Sequence, residues 1–407
     1  MRCRECGSEH EPARLSVCPD CLGPLDAFYD YGGVDWGEAL LSRRPRSLWR
    51  YRELLPLLDY GRAVDLGAGL TPLRRADRLA RALGLREVYL KDDTVNPTYS
   101  FKDRPASVAV SKALELGYGV VGCASTGNLA AATAAHAAKA GLPCYVFIPK
   151  GIEGTKISQA IAYGARIVRV NGTYDEANAV ASRAAERFGW ALVNINVRPY
   201  YVEGSKSLAF EVCEQLGWEA PDHVIVPIGS GALLNAIAKG FGELRDLGLI
   251  EGRGPKISGA QGLGCSPVVD SFKSGRDSIE PVEAPSTIAK SLAIGDPGDG
   301  VYALRRIRES GGFAEAPSDS EITEAIRLLG RTEGLFTEPA GAVTVATLKR
   351  LVSSGAIEGD ERVVCYITGN GLKAPEAVAP SEADILDISP ALEGPWAEAL
   401  GVGAWRS

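Results

Sequence analysis

Four of the nine cysteines stand as Cys3-x-x-Cys6 and Cys18-x-x-Cys21, with eleven residues between the pairs. Each pair sets two thiolates on one tight turn, and two such turns complete a tetrahedral four-sulfur site closed to substrate. The spacing predicts a structural zinc ribbon over residues 1–25 with Cys3, Cys6, Cys18 and Cys21 as ligands. A unit of that size is too small for a core of its own, so the metal would fold it. His10 is read as a surface residue beside it. Two disulfides or a redox pair are the alternatives; the opening Met1-Arg2-Cys3-Arg4-Glu5-Cys6 lacks the apolar segment of a secretory signal, which favours zinc and a cytoplasmic location. Cys123, Cys144, Cys213, Cys265 and Cys365 lie mostly in apolar runs and are expected to be buried, inert thiols.

A second set of residues carries chemistry of another kind. In Asn96-Pro97-Thr98-Tyr99-Ser100-Phe101-Lys102-Asp103-Arg104, Asn-Pro forces a turn and the residues after Lys102 read as helix. A cation is disfavoured at a helix N-terminus, and the same field favours the neutral amine that a nucleophile or Schiff-base lysine needs. Three further turns each follow an apolar, β-like run: Ser125-Thr126-Gly127-Asn128, Gly229-Ser230-Gly231-Ala232-Leu233 and Thr368-Gly369-Asn370-Gly371. The second has the features of a phosphate cup, because small residues let backbone N–H groups reach an anion at a helix start. It has neither the GxGxxG spacing of a dinucleotide site nor the GK[ST] of a P-loop. A nucleophilic lysine, an anion cup, an asparagine loop and a threonine after a third strand together suit pyridoxal phosphate.

The elements that must position these residues are legible as alternating segments. Strands are expected at 87–91, 120–124, 144–148, 166–170, 224–228, 257–260 and 363–367. Helices are expected at 103–116, 128–140, 155–163, 175–188, 204–216, 232–246, 320–332 and 340–353. Strands alternating with helices of this length argue for parallel sheets covered on both faces, an α/β fold. The expected plan is a ribbon (1–25), a connecting arm (26–75), a smaller α/β domain (76–190), a larger one (191–375) and a peripheral tail (376–407), the two three-layer α/β/α domains facing a shared cleft. With 44 Lys+Arg against 51 Asp+Glu the net charge is −7, which argues against a nucleic-acid partner. No uncharged apolar run reaches the ~20 residues that span a bilayer, so no membrane partner is expected.

Six ordered motifs between about Leu70 and Lys373 resemble those of the threonine synthases, within the fold-type II pyridoxal-phosphate enzymes of tryptophan synthase β-like type. NPTYSFKDR is similar to the family's NPTGSFKDR, STGN to its asparagine loop, EGSK (203–206) to its EGQK, and GSGALL to its glycine-rich cup; EGLFTEPAGA (333–342) and TGNGLK (368–373) match almost letter for letter. The resemblance implies that Lys102 binds the cofactor and shuttles protons, with Phe101 beside the ring and Asn128 on the 3′-oxygen. It further implies that Gly229, Ser230, Gly231, Ala232 and Leu233 hold the phosphate and that Thr368 faces the ring nitrogen. Ser100, Ser125, Thr126, Asn194 and Arg198 become candidate substrate contacts. The implied reaction is O-phospho-L-homoserine plus water giving L-threonine plus phosphate, by a homodimeric enzyme, with a structural Zn2+ as in one branch of the family. The chain departs from the pattern at Tyr99, where glycine is usual, and at Tyr201, where an arginine is usual. Arg198, Arg104 or Ser100 are candidates to take that arginine's place on the substrate phosphate. The competing readings are a related lyase or β-replacement enzyme, such as cysteate synthase acting on O-phosphoserine or a threonine dehydratase, and a zinc-ribbon binding module on an inactive body. A Ser/His hydrolase is excluded by the lack of G-x-S-x-G.

Overall fold

β-branched runs bounded by glycine and proline become short parallel strands, and the alanine-rich segments between them become the helices that cover the sheets. The computed structural model describes residues 1–152, 154–380 and 385. Every expected strand is present within one residue of its expected ends. The helices Asp103–Glu115, Asn128–Ala140, Ala232–Asp246 and Pro339–Ser353 also fall where expected, whereas 204–216 divides into a 3-10 turn, Val202–Lys206, and the helix Ser207–Gln215.

Three sheets result. Arg2–Cys3 pairs antiparallel with Leu25–Asp26 in the N-terminal ribbon. A four-stranded parallel sheet runs 166–170, 144–149, 121–124, 191–192. A six-stranded sheet runs 314–315, 256–260, 223–227, 362–367, 87–92, 73–75, parallel except for its last pair. Two groupings differ from chain order. The strand Glu87–Asp92, placed by sequence with the segments that follow it, pairs in register with Arg362–Ile367 in the larger sheet. The strand Ala191–Leu192 likewise joins the smaller sheet. Parallel strands pair through long crossovers, so neighbours in the chain need not be neighbours in the sheet. The chain therefore enters the larger sheet, leaves it through the lysine segment to build the smaller one, and returns. The tail expected over 376–407 lies, beyond Pro380 and apart from Ile385, outside the described residues.

The arm packs Trp36 and Tyr51 against Phe210, with ring centroids 5.1 and 5.4 Å from Phe210, and Arg50 pairs with Glu214 at 2.5 Å. The five cysteines outside the ribbon are all buried, and burial pushes the thiols of Cys123, Cys213 and Cys365 up to about 12. Among the described residues no helix is long and apolar enough to cross a membrane.

Two buried histidines predict an acid response. Burial pushes His136 and His223 down to about 4. His136 Nδ1 faces the Ala132 carbonyl at 2.9 Å, and His223 Nε2 faces Ser258 Oγ at 2.6 Å. A folded-state value below the unfolded one gives stability that is present above about pH 6.5 and lost as pH falls toward 4. Asp103, raised to about 7 by burial, acts oppositely, its contribution being present at low pH and lost as pH rises toward 7. Glu243 and Glu338, which burial also raises, act in the same sense as Asp103, so the histidine share is read as a difference between two proteins. The stability of the wild type relative to His223→Leu should fall by about 1.4 kcal/mol per pH unit on acidification between about pH 6.5 and 4.5, measured by urea unfolding. A difference that does not change with pH contradicts it.

Candidate active site

The lysine segment leaves the strand Glu87–Asp92 through a turn at Asp93–Val95 and enters the helix Asp103–Glu115. Asp103 is fully buried and accepts from Thr98 N at 2.8 Å and Thr98 Oγ1 at 2.9 Å, which closes the loop over Tyr99–Lys102. Phe101 N donates to the Thr368 carbonyl at 2.9 Å, and Ser100 forms a bridge with Gly369. The loop after 362–367 is thereby fixed against Lys102. Lys102 is half-buried, its Nζ 3.0 Å from the Tyr201 hydroxyl and 4.6 Å from the centre of the Phe101 ring.

Tyr99 takes φ +66° with its side chain 54% exposed. A left-handed conformation costs a non-glycine residue roughly 1–2 kcal/mol, and an exposed ring regains little of it by packing. Tyr99→Gly is therefore expected to stabilise the fold by about 1 kcal/mol, read as a higher urea midpoint. A lower midpoint contradicts the strain.

The turn Gly229–Leu233 opens the helix Ala232–Asp246, whose first N–H groups have no intrahelical partner. Gly231 has φ +93°, and a Cβ there would lie 2.7 Å from the Asp299 carbonyl, so neither the conformation nor the space admits a side chain. Gly229 is crowded by Ile294 and Ser291. Two buried hydroxyls in and beside the lysine segment, Ser100 Oγ and Thr368 Oγ1, have no hydrogen-bond partner among the described residues. Orphaned buried hydroxyls call for a polar partner, and with an amine and a small-residue helix start nearby the residues present fit pyridoxal phosphate.

Asn128 donates through Nδ2 to both oxygens of Glu338, at 2.9 and 3.1 Å. Glu338, buried and therefore pushed up from the usual carboxylate range, is no site candidate by sequence, although it lies inside the EGLFTEPAGA motif, just before a helix-starting proline. Ser125 and Thr126 are half-buried in the same loop, with Ser125 Oγ accepting from Gly127 N. Asn194 accepts from Ala124 N at 3.2 Å and donates to Ala124 O at 3.3 Å, so both ends of its amide pin the start of this loop. Arg198, one turn before Tyr201, pairs with Asp299, whose backbone N–H donates to Ser230 in the glycine turn.

Two sequence candidates serve the scaffold. Arg104 is fully buried and donates to Asp93 at 2.7 and 2.8 Å, to Glu211, to Ser207 and to Thr71, so it does not reach the cleft. The EGSK segment forms a buried ion cluster, in which Lys206 pairs with Glu203 at 2.8 Å and Glu243 at 2.9 Å. Gly204 allows it to press on the lysine helix, since a Cβ would lie 2.4 Å from the Arg104 carbonyl.

In the ribbon, Cys3 and Cys21 bring their sulfurs to 3.4 Å and Cys6 and Cys18 to 3.7 Å, and all four lie within 4.8 Å of one another. A tetrahedron with metal–sulfur bonds of about 2.3 Å has edges of about 3.8 Å, so the four fit a zinc ion. His10 is closer than a surface residue would be, its Nε2 3.4 Å from Cys18 Sγ.

Residues 64–369 match the family described as pyridoxal-phosphate dependent enzyme. The threonine synthase of Methanocaldococcus jannaschii is 43% identical over 95% of this chain and 96% of its own. That of Methanosarcina acetivorans is 41% identical over 93% of each. Among solved structures, maize serine racemase superposes with a TM-score of 0.64 at 23% identity, over 76% of this chain and 90% of its own, a likeness of fold.

Proposed function

The chain belongs to the threonine synthases, within the pyridoxal-phosphate dependent enzymes, and from that premise we propose that it converts O-phospho-L-homoserine and water to L-threonine and phosphate. The observation that carries this reading is the amine of Lys102 set beside two buried hydroxyls that find no partner among the described residues, in a chain so close to those relatives.

Lys102 would hold the cofactor, the turn Gly229–Leu233 its phosphate, Asn128 its ring oxygen and Thr368 its ring nitrogen. When bound, pyridoxal phosphate withdraws electrons from the substrate and acidifies its Cα and Cβ hydrogens. A neutral hydroxyl at Thr368 holds less positive charge on a ring nitrogen than a carboxylate would, which suits proton abstraction and elimination. The Lys102 amine, once free, would take those protons in turn and, after phosphate departs from Cγ, would return one to Cγ and one to Cα as water adds at Cβ and gives its second proton to the phosphate. Tyr201 holds that amine in place through its hydroxyl, 3.0 Å away. Of the two arginines named by sequence, Arg198 rather than the buried Arg104 is offered to the substrate phosphate. Tyr201→Phe is expected to lower kcat by about tenfold to a hundredfold with KM little changed, as removal of one proton-handling contact does. An unchanged kcat removes Tyr201 from the account.

The test of the reaction is a substrate panel in which inorganic phosphate and L-threonine are measured together. O-phospho-L-homoserine should yield both in equal amounts. Release from O-phosphoserine alone favours a β-replacement enzyme, and 2-oxobutanoate formed from threonine favours a dehydratase. For the ribbon, the proposal is one structural zinc per chain on Cys3, Cys6, Cys18 and Cys21, read by elemental analysis.

A further inference from the structure

The ribbon grips the two pieces of the cleft that the catalytic lysine does not itself position. Ala13, between the two cysteine pairs, donates its N–H to the Tyr200 hydroxyl at 2.9 Å and accepts that hydroxyl's hydrogen on its carbonyl at 2.7 Å. The next residue, Tyr201, holds the Lys102 amine. Arg4, inside the first pair, is bound to Asp26 at 2.7 Å and reaches Asp299 at 3.5 Å. Asp299 is 2% exposed and also pairs with Arg198. Its backbone N–H donates to Ser230 O at 2.9 Å, and its carbonyl accepts from Asn235 Nδ2 at 3.1 Å, so its main chain backs the phosphate turn while its side chain serves the two arginines. Glu5 accepts from the Tyr302 hydroxyl on the helix that Asp299 begins.

Arg198–Tyr201 is the first turn of a helical run that continues through the 3-10 turn Val202–Lys206 into the helix Ser207–Gln215. The free end of a helix frays most readily, so this turn is held by what it docks on. Part of that dock is the ribbon, whose own fold would depend on its metal. We propose that the ribbon is a wall of the active site: through Tyr200 and Asp299 it sets Tyr201 and Arg198, and Asp299 is a positioning residue for Arg198. The choice of substrate and metal rests on the reading above; the contacts do not.

The experiment compares the zinc-loaded holoenzyme with the metal-stripped protein and with Tyr200→Phe and Asp299→Asn. Hydrogen exchange is followed in residues 198–206 and, as a reference away from the ribbon, in the helix Pro339–Ser353. Stripping the metal should speed exchange in 198–206 by about tenfold or more and leave the reference helix protected. Asp299→Asn keeps the backbone bonds to the phosphate turn, so cofactor affinity should hold while KM for O-phospho-L-homoserine rises about tenfold and kcat stays within about threefold. Tyr200→Phe should raise exchange in 198–206 and lower kcat/KM about tenfold. Unchanged exchange in 198–206 in both the stripped protein and Tyr200→Phe overturns the proposal, as does an Asp299→Asn enzyme with unchanged KM. If stripping unfolds the reference helix as well, Tyr200→Phe, which keeps the metal, decides. If the untouched enzyme releases no phosphate from O-phospho-L-homoserine, the synthase reading fails, and the exchange comparison still decides the coupling.

Discussion

Lys102→Ala is expected to lower phosphate release from O-phospho-L-homoserine by at least about 10⁴-fold while leaving the fold intact. The loss has two sources. The amine is the group proposed to move the substrate's protons, and general-base removal alone costs about 10²–10⁴-fold. The same amine is the covalent anchor proposed for the cofactor, so its removal also leaves the cofactor held only by the phosphate turn and ring contacts. Lys102 is half-buried, and its side-chain contacts are Tyr201 and the Phe101 ring, so little packing is lost. Steady-state phosphate assays with a matched circular dichroism melt separate activity from folding. A variant retaining more than about one part in a hundred of the wild-type rate contradicts the role.

Arg104→Met carries the largest expected stability effect. Arg104 has no exposed surface, and its guanidinium is shared between Asp93 and Glu211, with Lys91 completing the group at 2.7 Å from Glu211. Removing one partner of a buried ion cluster leaves uncompensated charge and costs about 3–5 kcal/mol, although Met replaces most of the volume. Asp93 follows the strand that precedes the lysine segment, and Glu211 lies on the helix after EGSK, so the cluster ties together the chain's exit from the larger sheet and its return. The urea midpoint should fall accordingly; a shift below about 1 kcal/mol would mean that the cluster reorganises around the gap.

Local pattern made most of the scaffold legible, for physical reasons. Runs such as Val363–Ile367 and Cys144–Ile148 are β-branched or apolar throughout because both sheet faces are covered, and helices such as Asn128–Ala140 are alanine-rich because they pack closely on those faces. The ribbon cysteines were readable because metal geometry dictates short, regular spacing. The residues that sequence did not resolve owe their roles to distant partners. Asp299, in the run Asp296-Pro297-Gly298-Asp299-Gly300, reads as a loop residue until Arg4, Arg198 and Ser230 are seen around it. Glu338 has no sequence mark that would place it on Asn128, 210 positions away. The helix Gly300–Ser310 was detectable, since Ala303, Leu304 and Ile307 recur at helical spacing on its buried face. Arg104 and EGSK show the converse: a motif can be read correctly while its members hold the scaffold rather than touch substrate.

The claim on which all else depends is that the side chain at position 102 carries the cofactor. Borohydride reduction of the purified holoprotein followed by peptide mapping measures this directly. The account predicts a pyridoxyl mass increment on Lys102 and on no other lysine. An unmodified Lys102, or the increment on Lys206, Lys239 or Lys373, would contradict it.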